Sequence, residues 1–230
     1  MAGHAIRTTD TPELRRRNVT AVEREGVAAY AGEAEHSLLV ILFTDIVEST
    51  RAKERRTHDD YQSLRREHDH LLATIIGREG GGTVIKHTGD GYLAVFTRPD
   101  VAVLRALEMQ RVMREHELTI RVGIHMGQVD VEPSVGDAPA VFGHNVDWAA
   151  RAEALAKPGH TCVTQPVYAD ASRRLNSGVC SWKKHGEYVV KDGETPLDIW
   201  EPHEADAAPM DAPRGRRLYG EHPKTWHVPV

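Results

Sequence analysis

The stretch LLVILFTDIVEST, residues 38–50, constrains this chain more than any other. Residues 38–45 are a near-continuous apolar run that ends abruptly at an acid, Asp45. Such a run suits a strand buried on both faces. A charge at the end of that strand needs a partner or a task. As a cap, Asp45 would start a helix through Ile46, Val47, Glu48, Ser49 and Thr50. As a ligand, it would sit on a rigid mount, with the free N–H groups of the same helix start offered to an anion. Taken alone, the stretch leaves both readings open.

A second acid stands on a tight turn downstream, in Ile85-Lys86-His87-Thr88-Gly89-Asp90-Gly91-Tyr92. Two short β-rich runs flank it, residues 83–86 and 92–96, and Asp-Gly between such runs is a hairpin signal. Between the two acids, residues 48–78 are helical in character. Tyr61, Leu64, His68, Leu71, Leu72 and Ile75 recur at helical spacing as a core-facing stripe, and Gly80 to Gly82 end the pattern. A further helix is expected over about 99–116, followed by a strand over 118–131 with Ile120, Val122, Ile124 and Met126 alternating. A loop over 132–142 leads to a helix over about 143–156, which Lys157-Pro158-Gly159 stops. A short strand at 161–164, a helix at 166–175 and two β-like runs, 181–190 and 197–200, complete the pattern; the last two can pair as a hairpin.

The core order is β-α-β-β-α-β, an α+β ferredoxin-like arrangement with a C-terminal extension. One sheet with helices largely on one face is expected. In that order the first strand neighbours the hairpin of the second and third, so Asp45 and Asp90 can converge. Two carboxylates sharing divalent cations are what two-metal phosphoryl chemistry requires. Residues 1–36 read as an arm or linker with a helix near 12–30, residues 37–202 as the catalytic domain, and residues 203–230 as a loose tail.

Composition narrows the classes. The 230 residues are 40% hydrophobic and 27% charged, as in a globular protein, and the formal net charge of -5 gives no general attraction to nucleic acid. A ferredoxin-like sheet that binds RNA needs exposed aromatics on its central strands; Phe43, Tyr92 and Phe96 do not make that pattern. Two cysteines, Cys162 and Cys180, form neither a disulfide framework nor a zinc site, so a cytoplasmic setting is expected. No run reaches the roughly 20 apolar residues of a membrane span, and the N-terminus lacks a signal-peptide core. The fourteen histidines follow no zinc-binding pattern and read as solvated or incidental.

Four segments, in order and at matching spacing, resemble the class III nucleotidyl cyclases, the adenylate and guanylate cyclase family. They are FTDIVEST (43–50), KHTGDG (86–91), RVGIHMG (121–127) and FGHNVDWAAR (142–151). The resemblance spans roughly 38–201 and is most like bacterial adenylate cyclases. It implies ATP turnover to 3′,5′-cyclic AMP and pyrophosphate. Asp45, Asp90 and the Ile46 carbonyl would hold two Mg²⁺ or Mn²⁺ ions. Phe43 and the turn through Ile46, Val47, Glu48, Ser49 and Thr50 would cradle the triphosphate. Lys86 would read the purine edge, Arg151 would stabilise charge on the α-phosphate, and Asp147 stands where an asparagine usually orients the ribose. Lys184 or His185 would touch the triphosphate. Ala140 falls on the second purine-reading position, usually Asp or Thr, with Asp137 as a substitute after a shift. The alternatives are a cyclase of altered base choice, for GTP or a pyrimidine nucleotide, and a weak or inactive nucleotide-binding module. In the family, the metal acids and the Asp147–Arg151 helix come from different protomers. A chain that carries both sets implies a homodimer, with Trp148 and Phe142 as candidates for its interface or for the core.

Overall fold

The computed structural model of the protein describes residues 36–47, 54, 56–132, 140–190, 194–204 and 206–218. The expected N-terminal helix, most of the loop before Ala140, Asp137, and the cradle residues Glu48, Ser49 and Thr50 lie outside them.

The apolar run forms β1, His36–Ile46, in the middle of the sheet. It pairs antiparallel with β3, Tyr92–Phe96, on one side and with β4, Ile120–Glu132, on the other. Leu39, Val40, Ile41 and Leu42 are all buried, so both of its faces are covered. Helix α1, His58–Gly77, follows. Thr57 caps it by accepting from Asp60 N at 3.2 Å, and Asp59 and Asp60 suit the positive end of the helix dipole. Strand β2, Gly82–His87, then pairs with β3, with a bulge between Val84 and Lys86. Helix α2, Pro99–Met113, leads into β4. The resulting order β2-β3-β1-β4 is the ferredoxin-like core.

The extension continues the same sheet. A short β5, Ala140–Phe142, pairs with the far end of β4, and α3, His144–Leu155, crosses back to β6, Thr161–Thr164, parallel to β4. Helix α4 is Gln165–Arg174. The expected last hairpin forms from β7, Ser181–Val189, and β8, Leu197–His203. A two-residue β9, Arg216–Arg217, closes the order β6-β8-β7-β9.

Three helices share one face. Leu72, Ile75 and Ile76 of α1, Ala102, Val103 and Met109 of α2, and Val167 and Ala171 of α4 pack on Val40, Leu42, Ile120, Val122 and Ile124. Helix α3 lies on the opposite face, where Ala149 meets Leu39, Ile41, Val129 and Val131. That face is also apolar and needs its own cover.

Three expectations are corrected. The loop before α3 contains β5, too short to show alternation in the sequence. The chain after Pro202 is not a loose tail over residues 206–218. Met210 is buried with Leu155, Cys162 and Ile199, Arg214 N donates to Leu155 O at 2.7 Å, and β9 pairs with β7. Nor are the histidines outside that stripe all solvated: His125 and His185 are buried, while His68 is buried as its place in the core-facing stripe of α1 requires. Among the described residues no helix is long and apolar enough to cross a membrane.

Candidate active site

Backbone contacts seat the Asp90 turn against the end of β1. Ile46 N donates to Asp90 O at 3.1 Å, and Tyr92 N donates to Thr44 Oγ1 at 3.0 Å. Thr88 N closes the turn onto Gly91 O at 2.9 Å. Gly91 is required there, because a Cβ on it would lie 1.7 Å from Thr44 O. Gly89 takes a φ of +84°, which a side chain would disfavour. Asp90 is thus fixed beside Ile46, the residue that follows Asp45. The structure sets the backbone of the Asp90 turn against that of Asp45.

Each acid faces an arginine. Asp45 is the Cα partner of Arg121 across β1 and β4, and Arg121 Nη2 donates to its Oδ2 at 2.8 Å. Arg121 also pairs with Glu153 of α3, Nε to Oε1 at 2.5 Å. Burial pushes the Glu153 carboxyl up to about 7, with Arg121 opposing and Asp45 adding to the rise. Asp90 pairs with Arg65 of α1, Nη1 to Oδ1 at 3.0 Å. Arg65 also reaches Asp69, one turn along, at 3.2 Å. Burial raises Asp69, but the hydrogen bond from His68 and the charge of Arg65 outweigh it and hold its carboxyl below the usual range.

This arrangement fits a divalent cation pair on one condition. Magnesium is held by one or two carboxylates together with substrate phosphates. Asp45 and Asp90 supply such a pair on rigid backbone. Among the described residues no group of three or more His, Cys, Asp or Glu could hold a metal ion alone. Phosphate oxygens and water would therefore have to complete the coordination.

The other predicted residues are dispersed. Lys86 is exposed on β2, opposite Leu93 and on the same hairpin as Asp90. Phe43 is half-buried against the face covered by α3, and Val47 N donates to Thr119 O at 2.8 Å. Ala140 begins β5 opposite Glu132. Asp147 is exposed on α3, and Arg151 lies one turn on, 3.5 Å from Glu194. These two share a helix face. Glu153, two residues past Arg151, points to the other side, toward the chain's own Arg121 and Asp45. Arg151 thus meets Glu194 and is turned away from its own chain's Asp45. Lys184 pairs with Asp198 at 3.1 Å and lies over the Trp200 ring. His185 is buried and bonded to Glu201 at 2.8 Å, away from solvent. Phe142 is 49% exposed, whereas Trp148 packs edge-on to His125 and His144.

Arg65, Arg121 and Glu153 escaped the sequence reading. Arg121 opens the RVGIHMG segment and Glu153 follows Arg151, but their partnership with Asp45 depends on the β1–β4 register and on α3. Two glycines permit that approach. A Cβ on Gly123 would lie 2.0 Å from Glu153 N, and one on Gly127 would lie 2.2 Å from the Asn145 side chain. Asn145 in turn holds His125, 2.9 Å from Nε2, while Thr164 meets Nδ1 at 2.7 Å. Burial lowers the His125 pKa.

Known proteins share this fold and parts of this sequence. The sequence model of the adenylate and guanylate cyclase catalytic domain matches residues 33–201. A curated protein of Rhizobium meliloti named "Putative adenylate cyclase 3" is 30% identical over 171 residues, which is 71% of this chain and 28% of that protein. The chain thus spans under a third of that relative's length. The solved adenylate/guanylate cyclase/hydrolase from Silicibacter pomeroyi is 29% identical with a TM-score of 0.61, over 74% of this chain and 98% of that one. The adenylyl cyclase CyaB from P. aeruginosa shares the fold at 21% identity, with a TM-score of 0.65 over 74% of this chain and 95% of that one.

Proposed function

The chain belongs to the adenylate and guanylate cyclase catalytic domain family, and on that premise we propose that it converts ATP to 3′,5′-cyclic AMP and pyrophosphate at a site shared by two copies of the chain. The observation that carries this reading is the junction of Asp45 with the Asp90 turn, made by the Ile46 N to Asp90 O bond at 3.1 Å and closed by Gly91. In the reaction the ribose 3′-oxygen bonds to the α-phosphorus. The bond to the β-phosphate oxygen breaks, pyrophosphate leaves, and the hydroxyl proton passes to water.

Asp45, Asp90 and the Ile46 carbonyl would hold two Mg²⁺ or Mn²⁺ ions, which supply charge neutralisation on the triphosphate and acidify the ribose hydroxyl. Arg121 places a guanidinium beside the Asp45 carboxylate, where a bidentate donor suits phosphate oxygens. Lys86, on the Asp90 hairpin, presents donors to the acceptor edge of a purine. Arg151 supplies fixed positive charge to the α-phosphate. Because α3 turns Arg151 away from its own chain's Asp45, that charge serves the site of a second copy. Asp147, on the same helix face, orients the ribose from that copy.

A reading of altered base choice has one observation in its favour. Ala140 on β5 has no side-chain acceptor for the adenine amino group. Incubation of the protein with each of the four nucleoside triphosphates and Mn²⁺, followed by product analysis, separates the readings. Cyclic AMP as the main product is expected. A dominant cyclic GMP or cyclic pyrimidine nucleotide would transfer the assignment to that base. No cyclic nucleotide from any substrate, or undiminished activity in an Asp45→Ala protein, would overturn cyclase activity at this site.

A further inference from the structure

Helix α1 reaches into the Asp90 turn through Arg65. Arg65 Nη1 lies 3.0 Å from Asp90 Oδ1, Nη2 donates to the Gly89 carbonyl, and Nε donates to Asp69 Oδ1 at 3.2 Å. One guanidinium is therefore forked between an acid of its own helix and the acid of the hairpin. Asp69 is anchored independently. His68 Nδ1 lies 3.0 Å from the same carboxylate oxygen, the Tyr92 hydroxyl donates to the Asp69 carbonyl at 3.2 Å, and His87 Nε2 is 3.9 Å from Oδ2. Arg65 is 15% exposed, Asp69 26% and Asp90 29%, so solvent only partly screens the three charges.

A monovalent cation thus stands on a carboxylate that the proposed function gives to divalent ions. A guanidinium and a dication on one carboxylate repel each other. A guanidinium has five donors in a fixed fork, so it can release one acceptor and keep the others. Resting on the assignment of Asp90 as a metal ligand, we infer that Arg65 is a positioning residue that occupies Asp90 until a divalent cation takes it, with Asp69 as the acid that retains the guanidinium afterwards. Arg65 holds the turn in shape in the absence of metal. Asp69 lowers the cost of giving Asp90 up.

The inference requires opposite effects from the two members of one ion pair. Arg65→Gln removes the competitor, so Mn²⁺ binds at a concentration several-fold lower. Asp69→Asn removes the alternative acid and ties Arg65 more firmly to Asp90, so the required concentration rises several-fold. Loss of a merely structural contact would weaken binding in both. The measurement is free Mn²⁺ by electron paramagnetic resonance over the full-length wild type, R65Q, D69N and D90N proteins with inorganic triphosphate, against a triphosphate-only control; it supplies the phosphate oxygens and cannot cyclise, so turnover plays no part. Lowered half-saturation in R65Q together with raised half-saturation in D69N supports the inference. Unchanged or weaker binding in R65Q, or unchanged or tighter binding in D69N, overturns it while leaving the Asp90 assignment intact, provided D90N loses binding. Wild-type binding in D90N instead overturns the assignment, and the inference with it. If R65Q does not fold, R65K replaces it. A single ammonium cannot hold both acids in the same fork, so half-saturation falls; no fall overturns the inference.

Discussion

A methyl group at position 91 would have nowhere to go, since its carbon would sit 1.7 Å from the Thr44 carbonyl oxygen. Gly91→Ala must push the hairpin away from β1. It is expected to cost at least the ~1–3 kcal/mol of ordinary overpacking, read as a lowered melting temperature, and to weaken Mn²⁺ binding as Asp90 moves off Asp45. Glu153 makes a different prediction. Its folded carboxyl titrates at about 7, above its ordinary value of 4.5. The folded state then holds a proton that the unfolded state has lost, so stability falls as pH rises between those two values. Glu153→Gln is expected to flatten the fall in denaturant midpoint between about pH 5 and pH 7; an unchanged pH slope would refute the shift. Glu201 lies the other way. Burial raises its carboxyl, but hydrogen bonds from His160, His185 and Met210 N outweigh that and leave it below the usual range. That stability is present above the unfolded carboxyl value and is lost as pH falls through the folded one.

At the scale of elements, α3 does two jobs with two faces. Ala149, Ala152 and Leu155 bury against the sheet, while Asp147 is exposed and Arg151 pairs with Glu194. Its boundaries were legible from Gly143 and the Lys157-Pro158-Gly159 stop. Its side of the sheet was not, because small residues suit either face. The segment 206–218 was the larger surprise. It has no periodicity, so sequence patterning assigns it nothing. It holds instead through single contacts: the buried Met210, Lys183 Nζ to Met210 O at 2.7 Å, and Arg214 N to Leu155 O at 2.7 Å. Because those contacts reach the C-terminal end of α3, removal of the chain after residue 204 is expected to lower both melting temperature and cyclase activity. Met210→Ala is expected to cost about 2–5 kcal/mol in chemical denaturation. Full stability in both variants would show the segment to be dispensable.

At the scale of the whole molecule, the proposed site is incomplete in one copy. Mixing Asp45→Ala with Arg151→Ala proteins, each expected to be nearly inactive, is expected to restore about a quarter of wild-type activity, since half the dimers are mixed and each carries one intact site. Absence of complementation would refute a shared site.

The sequence by itself determined β1, the β-α-β-β-α-β order and the nearness of Asp45 and Asp90, because burial period and hairpin chemistry are local properties and the strand order follows from them. The family followed from four short segments in order. Only the tertiary structure decided which cations meet those acids. Arg65 comes from a helix, Arg121 from a strand register and Glu153 from a second helix on the far face. Their meeting depends on glycines at 91 and 123 that admit close backbone contact. Such long-range pairings of charge leave no periodic trace in a chain, and so they became visible only once the sheet was assembled.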